Sequence, residues 1–178
     1  MRIISGKYKG KRFDVPHSFK ARPTTDFAKE SLFNILINNY VDFDESPTAL
    51  DLFSGTGSIS LELVSRGCSR VVSVEKDYKH WQFLKKTSVE LGDSSWTPLH
   101  ADVFKYLQRV TDKFDIIFAD PPYALKNLGE LSDIIFSVPI LSDEGIFILE
   151  HGKDYDFSEH SHFIDHRSYG SVNFSFFR

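Results

Sequence analysis

The residues of this chain best suited to chemistry form the run Asp120-Pro121-Pro122-Tyr123, directly after the apolar segment Phe114–Ala119. The two prolines remove two backbone N–H donors and restrict the conformation of Asp120, so the carbonyl groups here are held stiffly. A carboxylate beside a fixed carbonyl offers two acceptors to the two hydrogens of an amino group, and Tyr123 offers a flat face on which a base can stack. The run predicts a site that holds an aromatic amine; the alternative is a proline-rich turn after a strand.

A second candidate site is the stretch Asp51-Leu52-Phe53-Ser54-Gly55-Thr56-Gly57, in which a short apolar run ends in two glycines. Ala49–Phe53 is typical of a buried strand, and Ile59–Arg66 has helical spacing. A glycine turn at a helix N-terminus lets a ligand approach the backbone and suits a carboxylate-bearing group. The acidic Asp51 favours a ligand that is also cationic, such as the amino-acid tail of S-adenosylmethionine (SAM). The alternative is an ordinary tight turn, because the dinucleotide-binding fingerprint needs a third glycine where Ser60 stands.

Two further acids follow the next two strands. Glu75 ends the strand after the glycine turn, where a carboxylate can accept both hydroxyls of a ribose; the alternative is a surface glutamate at a strand end. Asp102 follows the third strand and could accept a hydrogen bond from the exocyclic amine of adenine. It could equally cap the helix that begins at Val103, and the two roles are compatible.

The elements that must position these residues alternate between strand and helix. The predicted strands are Ala49–Phe53, Arg70–Glu75, Pro98–Ala101, Phe114–Ala119 and Gly145–Glu150, and the predicted helices are Ser58–Arg66, Tyr78–Leu91, Val103–Val110 and one around Leu128–Phe136. Such alternation predicts a parallel α/β sheet that is covered on both faces. Ligands of such sheets bind beyond the carboxyl ends of the strands, which is where Glu75, Asp102 and Asp120 fall.

The two ends of the chain depart from this alternation. Residues 2–15 are predicted to form a β-hairpin, and a helix capped by Thr24, Thr25 or Asp26 follows a connector over Pro16–Pro23. Two closing strands, Phe163–Arg167 and Ser171–Phe177, predict an antiparallel addition to the sheet. We expect one domain over residues 1–178, with residues 1–47 as an N-terminal hairpin and helix extension.

Composition excludes several classes of protein. The chain has 178 residues, of which 41% are hydrophobic and 15% aromatic, so it is globular and not disordered. No apolar stretch approaches the length that spans a membrane, and the N-terminus lacks a signal-peptide core. The single cysteine, Cys68, fits a reducing cytoplasm, and no Cys/His cluster has the spacing of a zinc site.

The charge is distributed unevenly along the chain. Residues 1–30 carry eight Lys and Arg against three Asp and Glu, a net charge of +5, whereas the whole chain has −4 and the remainder therefore −9. A basic arm on an acidic body suggests contact with RNA phosphates through Lys9, Lys11, Arg12 and Arg22. The alternative, a solvated hairpin with exposed basic side chains, is equally compatible with the charge.

With these motifs the chain resembles the class I, SAM-dependent methyltransferases. Asp51-x-Phe53-x-Gly55-x-Gly57 is similar to their cofactor loop, Glu75 to their ribose-binding acid, and Asp120-Pro121-Pro122-Tyr123 to the motif of amino-group methylation on nucleobases. The resemblance extends over the whole chain to the small-subunit rRNA guanine-N2 methyltransferases of the RsmD type. It is carried by the segments Ile3-Ile4-Ser5-Gly6, Lys9-Gly10-Lys11-Arg12, Arg22-Pro23-Thr24, Leu32-Phe33-Asn34-Ile35-Leu36, Glu75-Lys76-Asp77 and Arg167-x-Tyr169-Gly170.

The resemblance implies a Rossmann-like class I methyltransferase fold, with a mostly parallel seven-stranded sheet and an antiparallel C-terminal strand. It implies methyl transfer from SAM to the N2 amine of a guanine in 16S rRNA, a site of the guanine 966 type, without a metal. The cofactor-binding residues would be Asp51, Phe53, Gly55, Gly57, Glu75, Lys76 and Asp102, and the catalytic residues Asp120, Pro121, Pro122 and Tyr123. The expected partner of this monomeric cytoplasmic enzyme is the small ribosomal subunit. The alternatives are an N6-adenine methyltransferase of RNA or DNA and an inert RNA-binding module.

Overall fold

The computed structural model describes residues 1–19 and 25–178 and has a seven-stranded sheet at its centre. The strands are β1 (Thr48–Leu52), β2 (Arg70–Glu75), β3 (Trp96–His100), β4 (Phe114–Ala119), β5 (Leu141–His151), β6 (Phe163–Tyr169) and β7 (Val172–Phe177). Their order in the sheet is β3-β2-β1-β4-β5-β7-β6. Strands β1 to β5 are parallel to one another, and β7 is antiparallel to both β5 and β6. The fold class predicted from the sequence is therefore confirmed.

Within the described ranges, 1–19 and 25–178, five α-helices connect the strands or precede them. They are α1 (Asp26–Asn39), α2 (Ser58–Arg66), α3 (Tyr78–Leu91), α4 (Val103–Leu107) and α5 (Leu131–Ser137). Helix α1 begins at a Thr25 cap, whose hydroxyl accepts a hydrogen bond from the N–H of Ala28. No helix in the described part of the chain is long and apolar enough to cross a membrane.

Two apolar cores lie on the two faces of the sheet, because successive strand residues point to opposite sides. On β1, Ala49 packs with α1, α2 and α3 on one face, whereas Leu50 and Leu52 pack with α4 and α5 on the other. These strand residues are almost fully buried, as expected of a parallel sheet covered by helices. The two cores hold the carboxyl ends of β1, β2, β4 and β5 at one edge.

The N-terminal segment forms a shorter hairpin than the one predicted. Arg2 and Arg12 form an antiparallel bridge, and backbone hydrogen bonds of 2.9 to 3.0 Å on both sides of it join residues 1–3 to residues 10–13. Gly6 and Gly10 adopt positive φ angles of 81° and 85°, which curl the chain between them into turns. The N–H groups of Ile4 and Ser5 donate to Glu62 on α2 at 2.9 and 3.0 Å, so they are not available to a partner strand.

Glu62 is the buried anchor of this N-terminal segment. Besides Ile4 and Ser5, its carboxylate accepts a hydrogen bond of 2.9 Å from Arg66, and it lies 3.8 Å from the ammonium of Lys29. Lys29 is itself buried, and its Nζ donates to the Arg2 carbonyl at 2.7 Å and to Ser58 at 3.1 Å. Burial lowers the pKa of Lys29, although the nearby Glu62 opposes that shift. These contacts tie the N-terminal segment to α2.

Candidate active site

The register of the sheet brings the predicted site residues to one edge. Leu52 pairs with Val74 on one side and with Ala119 on the other, and Ala119 pairs with Leu149. The residues after these positions therefore emerge side by side. We call this edge the rim; it consists of Phe53–Gly57, Glu75–Asp77, 101–102, Asp120–Tyr123 and 150–152.

The turn between β1 and α2 is held in the left-handed backbone region. Phe53, Gly55 and Gly57 have φ angles of 60°, 53° and 77°. For a bulky side chain such as that of Phe53 this conformation is unusual and strained, and such strain concentrates at functional sites. The N–H of Gly57 donates to the Ser54 carbonyl at 2.7 Å, and the Ser54 hydroxyl donates to the Asp51 carbonyl at 2.6 Å. The turn is thus closed by its own hydrogen bonds.

The two glycines of this turn have different neighbours. A Cβ atom added to Gly57 would lie 2.5 Å from the Leu84 side chain and 3.1 Å from Trp96, so a larger residue here would displace packing against α3 and β3. A Cβ atom added to Gly55 would meet no atom closer than the Phe53 carbonyl oxygen at 3.9 Å. Gly55 is therefore the glycine that faces open space, where a ligand can approach the backbone.

Glu75 closes the same turn from the neighbouring strand. Its carboxylate accepts hydrogen bonds from the N–H of Gly55 at 2.8 Å and from the N–H of Asp77 at 2.7 Å. The side chain is buried, which excludes the surface glutamate considered as the alternative. Each carboxylate oxygen has a further lone pair, so Glu75 can hold the turn and accept another donor at the same time.

Asp51 lies beneath the turn in a buried polar chain. Its carboxylate accepts a short hydrogen bond from Ser60, the Ser60 and Ser73 hydroxyls are 2.5 Å apart, and the indole Nε1 of Trp96 donates to Ser73 at 2.7 Å. Burial raises the pKa of Asp51 to about 7, against the opposing effect of the Ser60 hydrogen bond, and the nearby Asp120 adds to the rise. Ser60 stands where the dinucleotide-binding fingerprint has its third glycine, and its hydroxyl links Asp51 to Ser73.

Lys76 and Asp102 form an ion pair at the next strand. Lys76 Nζ lies 2.9 Å from one carboxylate oxygen of Asp102. The other oxygen accepts hydrogen bonds from the N–H groups of Phe104 and Lys105, at 3.1 and 3.2 Å, and so caps α4. Lys76 first, and then the helix N–H groups, hold the pKa of Asp102 below its usual value. The capping role considered from the sequence is therefore present.

The Asp120–Tyr123 run begins directly beside the turn. The N–H of Asp120 donates to the Leu52 carbonyl at 3.3 Å, which places Asp120 next to Phe53. Burial raises the pKa of Asp120. Pro121 is buried, and the Pro122 carbonyl accepts the N–H of Leu125 at 2.8 Å, which turns the chain outward.

Tyr123 extends from this turn with 63% of its surface exposed. Its ring lies beside Gly152, where an added Cβ atom would be 3.8 Å from the ring. A glycine at position 152 places no side chain against this part of the Tyr123 ring. The motif presents a partly buried carboxylate, a stiff backbone and an accessible aromatic face together.

The end of β5 contributes a histidine whose partners sequence reasoning did not assign. The ring nitrogens of His151 lie 2.8 Å from the Gly152 carbonyl oxygen and 2.8 Å from the Ser175 hydroxyl on β7. Burial lowers the pKa of His151, so its ring favours the neutral form. His151 thereby fixes the backbone beside Tyr123. The only sequence signal was its place directly after a buried strand.

Three of the predicted RNA-binding residues, Lys9, Lys11 and Arg12, lie in the described part of the N-terminal arm. Gly6 packs against the Ser65 carbonyl in the last turn of α2, so the tip of the arm lies about 10 Å along that helix from the rim. Lys9 and Arg12 are exposed, and Lys11 donates to the Glu90 carbonyl at 3.2 Å near the end of α3. Arg22 lies outside the described residues.

Among residues 1–19 and 25–178, no group of three or more His, Cys, Asp or Glu side chains is placed to hold a metal ion.

Comparison with known proteins supports the family indicated by the motifs. A family model described as "Conserved hypothetical protein 95" matches residues 1–178. The ribosomal RNA small subunit methyltransferase D of Escherichia coli K12 is 31% identical over 150 residues, which cover 84% of this chain and 74% of that protein. The chain belongs to the family that this model describes. The methyltransferase D of Haemophilus influenzae is 30% identical and covers 86% of the chain, with 80% of its own length matched.

Solved structures agree with this assignment. This chain is similar to a hypothetical protein of Thermus thermophilus, with a TM-score of 0.87 and 27% sequence identity. The match covers 100% of this chain and 99% of the Thermus protein. An RNA methyltransferase of Salinibacter ruber in complex with S-adenosyl-L-homocysteine has a TM-score of 0.68, with 88% of this chain and 92% of that chain covered. At 16% sequence identity, this structural similarity shows a shared fold and nothing about activity.

Proposed function

We propose that this protein transfers the methyl group of SAM to the exocyclic N2 amine of a guanine in 16S rRNA, within the small ribosomal subunit. The observation that carries the proposal is the hydrogen bond of 3.3 Å between the Asp120 N–H and the Leu52 carbonyl, because it joins the amine-holding motif to the glycine turn. Membership in a family with rRNA methyltransferases supports the choice of substrate.

Several groups at the rim are suited to hold SAM. The open space above Gly55 accommodates a ligand against the backbone, and the α2 N-terminus favours the carboxylate of its amino-acid tail. Glu75 would accept the ribose hydroxyls while it keeps the turn in place. Lys76 and Asp102 would lie along the adenine, and Phe53 and the buried Asp51 would support the turn from below. When bound, SAM supplies a methyl group on a positively charged sulfonium.

Asp120 would act on the acceptor amine. The lone pair of an exocyclic guanine amine is delocalised into the ring, so the nitrogen is a poor nucleophile. A carboxylate and the Pro121 carbonyl that accept its two hydrogens favour a more pyramidal nitrogen, and the carboxylate stabilises the positive charge that develops there. As the nitrogen–methyl bond forms and the sulfonium–methyl bond breaks, the amine loses one proton, which Asp120, with its raised pKa, is suited to accept.

The acceptor base must leave its stack to reach Asp120. Tyr123, which is largely exposed beside the motif, would stack on the extracted guanine. The arm residues Lys9, Lys11, Arg12 and Arg22 would contact RNA phosphates, so the affinity for RNA should fall with added salt while the affinity for SAM should not. An rRNA substrate also places the enzyme in the cytoplasm, and we expect it to act as a monomer.

The proposal is tested by methylating small-subunit particles from a strain that lacks this modification, followed by mass spectrometry of the digested rRNA nucleosides. We expect N2-methylguanosine at one position. N6-methyladenosine would favour the alternative amine, which the same four-residue motif suits. Binding of SAM without any methylated nucleoside would favour an inert RNA-binding module.

A further inference from the structure

An aromatic cluster lies where helix α3 packs on the edge strand β3. The ring centroids of Tyr78 and Trp81 are 5.6 Å apart, Trp81 stacks on His100 of the edge strand β3 at 5.2 Å, and Tyr78 meets the edge of His100 at 5.5 Å. Tyr78 is 55% exposed and His100 is also exposed. The cluster therefore presents an exposed tyrosine ring beside a half-buried tryptophan.

Lysines surround this cluster. Residues 76–86 carry a net charge of +3, from four lysines and one aspartate, within a body whose residues 31–178 sum to −9. Lys79 and Lys86 are seven residues, or about two helical turns, apart and therefore lie on the same side of α3. Neither lysine forms an ion pair with the described residues. Lys85 lies over the Trp81 ring, with its Nζ 5.4 Å from the centroid. The aspartate, Asp77, is engaged as the cap of α3 through the N–H groups of Lys79 and His80.

The N-terminal arm continues this basic surface. Phe19 packs on His80 and Phe83 of α3, with ring centroids 4.3 and 5.5 Å apart, and Lys11 reaches the Glu90 carbonyl near the end of the helix. The arm therefore lies along one side of α3 and the aromatic cluster along the other, with Lys79 and Lys86 on the helix between them.

We propose that α3 carries a docking surface for single-stranded RNA, made of Tyr78, Lys79, Trp81, Lys86 and His100, which we call the α3 platform. The inference rests on the proposed function, and it names where the RNA strand next to the modified base is held. Tyr78 stacks on an unpaired base, and Lys79 and Lys86 contact the phosphates. The strand runs from the arm across α3 towards the rim.

The positive charge and the exposed rings together favour single-stranded RNA as the ligand. Lysines alone would suit any polyanion, but an aromatic face flanked by lysines binds unpaired bases, since every base presents a π-face. Stacked bases inside a duplex cannot reach Tyr78, so the partner is a single strand or a loop. Tyr78 lies three residues after Glu75, so the bound strand would pass next to the part of the rim that is proposed to hold SAM.

The test measures binding of a fluorescein-labelled, unstructured RNA of about 12 nucleotides to the full chain by fluorescence anisotropy over a range of salt. Tyr78→Ala should weaken binding about tenfold, whereas Tyr78→Phe should restore it because the ring face remains. The double variant Lys79→Gln/Lys86→Gln should reduce the slope of log affinity against log salt by roughly 1.4. The matched control Arg70→Gln/Lys113→Gln removes two charges at the starts of β2 and β4 and should leave the slope unchanged.

Each outcome separates this inference from the proposed function. Wild-type affinity and salt slope in the platform variants would overturn the α3 platform, and so would a loss of SAM affinity in Tyr78→Ala, because Tyr78 would then belong to the cofactor site. Normal binding of the oligonucleotide together with lost activity on ribosomal particles would indicate a ribosomal protein as the partner and would also overturn it. Loss of RNA binding in the variants of an enzyme that methylates no rRNA would support the platform and overturn only the proposed function.

Discussion

The two halves of the rim are built in different ways. On the β1–β2 half, the glycine turn is closed by its own hydrogen bonds, and Glu75 accepts the N–H groups of Gly55 and Asp77 at 2.8 and 2.7 Å. On the β4–β5 half, two prolines stiffen the chain after Asp120, and Tyr123 extends outward with 63% of its surface exposed. The first half is held in shape by hydrogen bonds around the buried Glu75, and the second is stiffened by prolines and exposes an aromatic ring.

This difference matches the two ligands that the proposed reaction requires. A small cofactor binds best to a site that is already formed, because little has to be ordered when it enters. A base that leaves an RNA stack needs an open approach and an aromatic face that receives it. We therefore expect changes on the first half to alter SAM affinity and changes on the second to alter the rate of methyl transfer.

The largest effect is expected for Asp120→Asn. The substitution keeps the size of the side chain but removes the negative charge that stabilises the developing cation and accepts the proton. We expect the methylation rate at saturating substrates to fall by about 10²- to 10³-fold. Calorimetry should find SAM affinity within a few-fold of the wild type. A variant that keeps the wild-type rate would remove Asp120 from catalysis.

The two glycines allow a test within the cofactor half. In Gly57→Ala the new methyl group would overlap Leu84 in a left-handed backbone conformation, so we expect the free energy of unfolding to fall by about 3 kcal/mol. In Gly55→Ala only the backbone strain of about 1–2 kcal/mol applies, yet the methyl group enters the ligand space. Urea unfolding and SAM calorimetry measure both effects. Equal losses of stability in the two variants, or unchanged SAM affinity in Gly55→Ala, would contradict the roles assigned here.

A smaller effect concerns the pH dependence of stability through Asp51. Burial raises the pKa of this carboxyl from 3.8 to about 7, so its proton stabilises the fold fully below the unfolded value, and this contribution is lost as the pH rises through about 7. Asp51→Asn cannot ionise, and its free energy of unfolding should fall less than that of the wild type over this window. Urea titrations at several pH values compare the two. Parallel curves would show that Asp51 does not titrate in this range.

Much of this architecture is predictable from local sequence. The apolar strands that end in Gly55, Glu75 and Asp120 are short and bounded by clear turn signals, so their order along the chain predicts which residues share the rim. Element ends are less certain: α4 ends at Leu107 and not at Val110, and β5 begins at Leu141 and not at Gly145. Such ends depend on tertiary packing that the local pattern does not contain.

Contacts between distant segments were not predictable in the same way. The hairpin predicted for residues 2–15 pairs only residues 1–3 with residues 10–13, whereas Ile4 and Ser5 donate their N–H groups to Glu62, far along the chain. The chain from Asp51 through Ser60 and Ser73 to Trp96 joins four separate elements, and a single sequence does not indicate that these four residues meet. The aromatic cluster on α3 likewise depends on His100, which β3 contributes.

The central claim is that the two halves of the rim divide the work between cofactor binding and methyl transfer. Single-turnover methylation of small-subunit particles by Glu75→Ala and Asp120→Asn, measured over a range of SAM concentrations, tests it directly. Glu75→Ala should lose SAM affinity by roughly 10- to 150-fold, equivalent to about 1.5–3 kcal/mol, and should approach the wild-type rate in excess SAM. Asp120→Asn should remain slow at every concentration. Recovery of Asp120→Asn in excess SAM, or failure of Glu75→Ala to recover, would contradict this division.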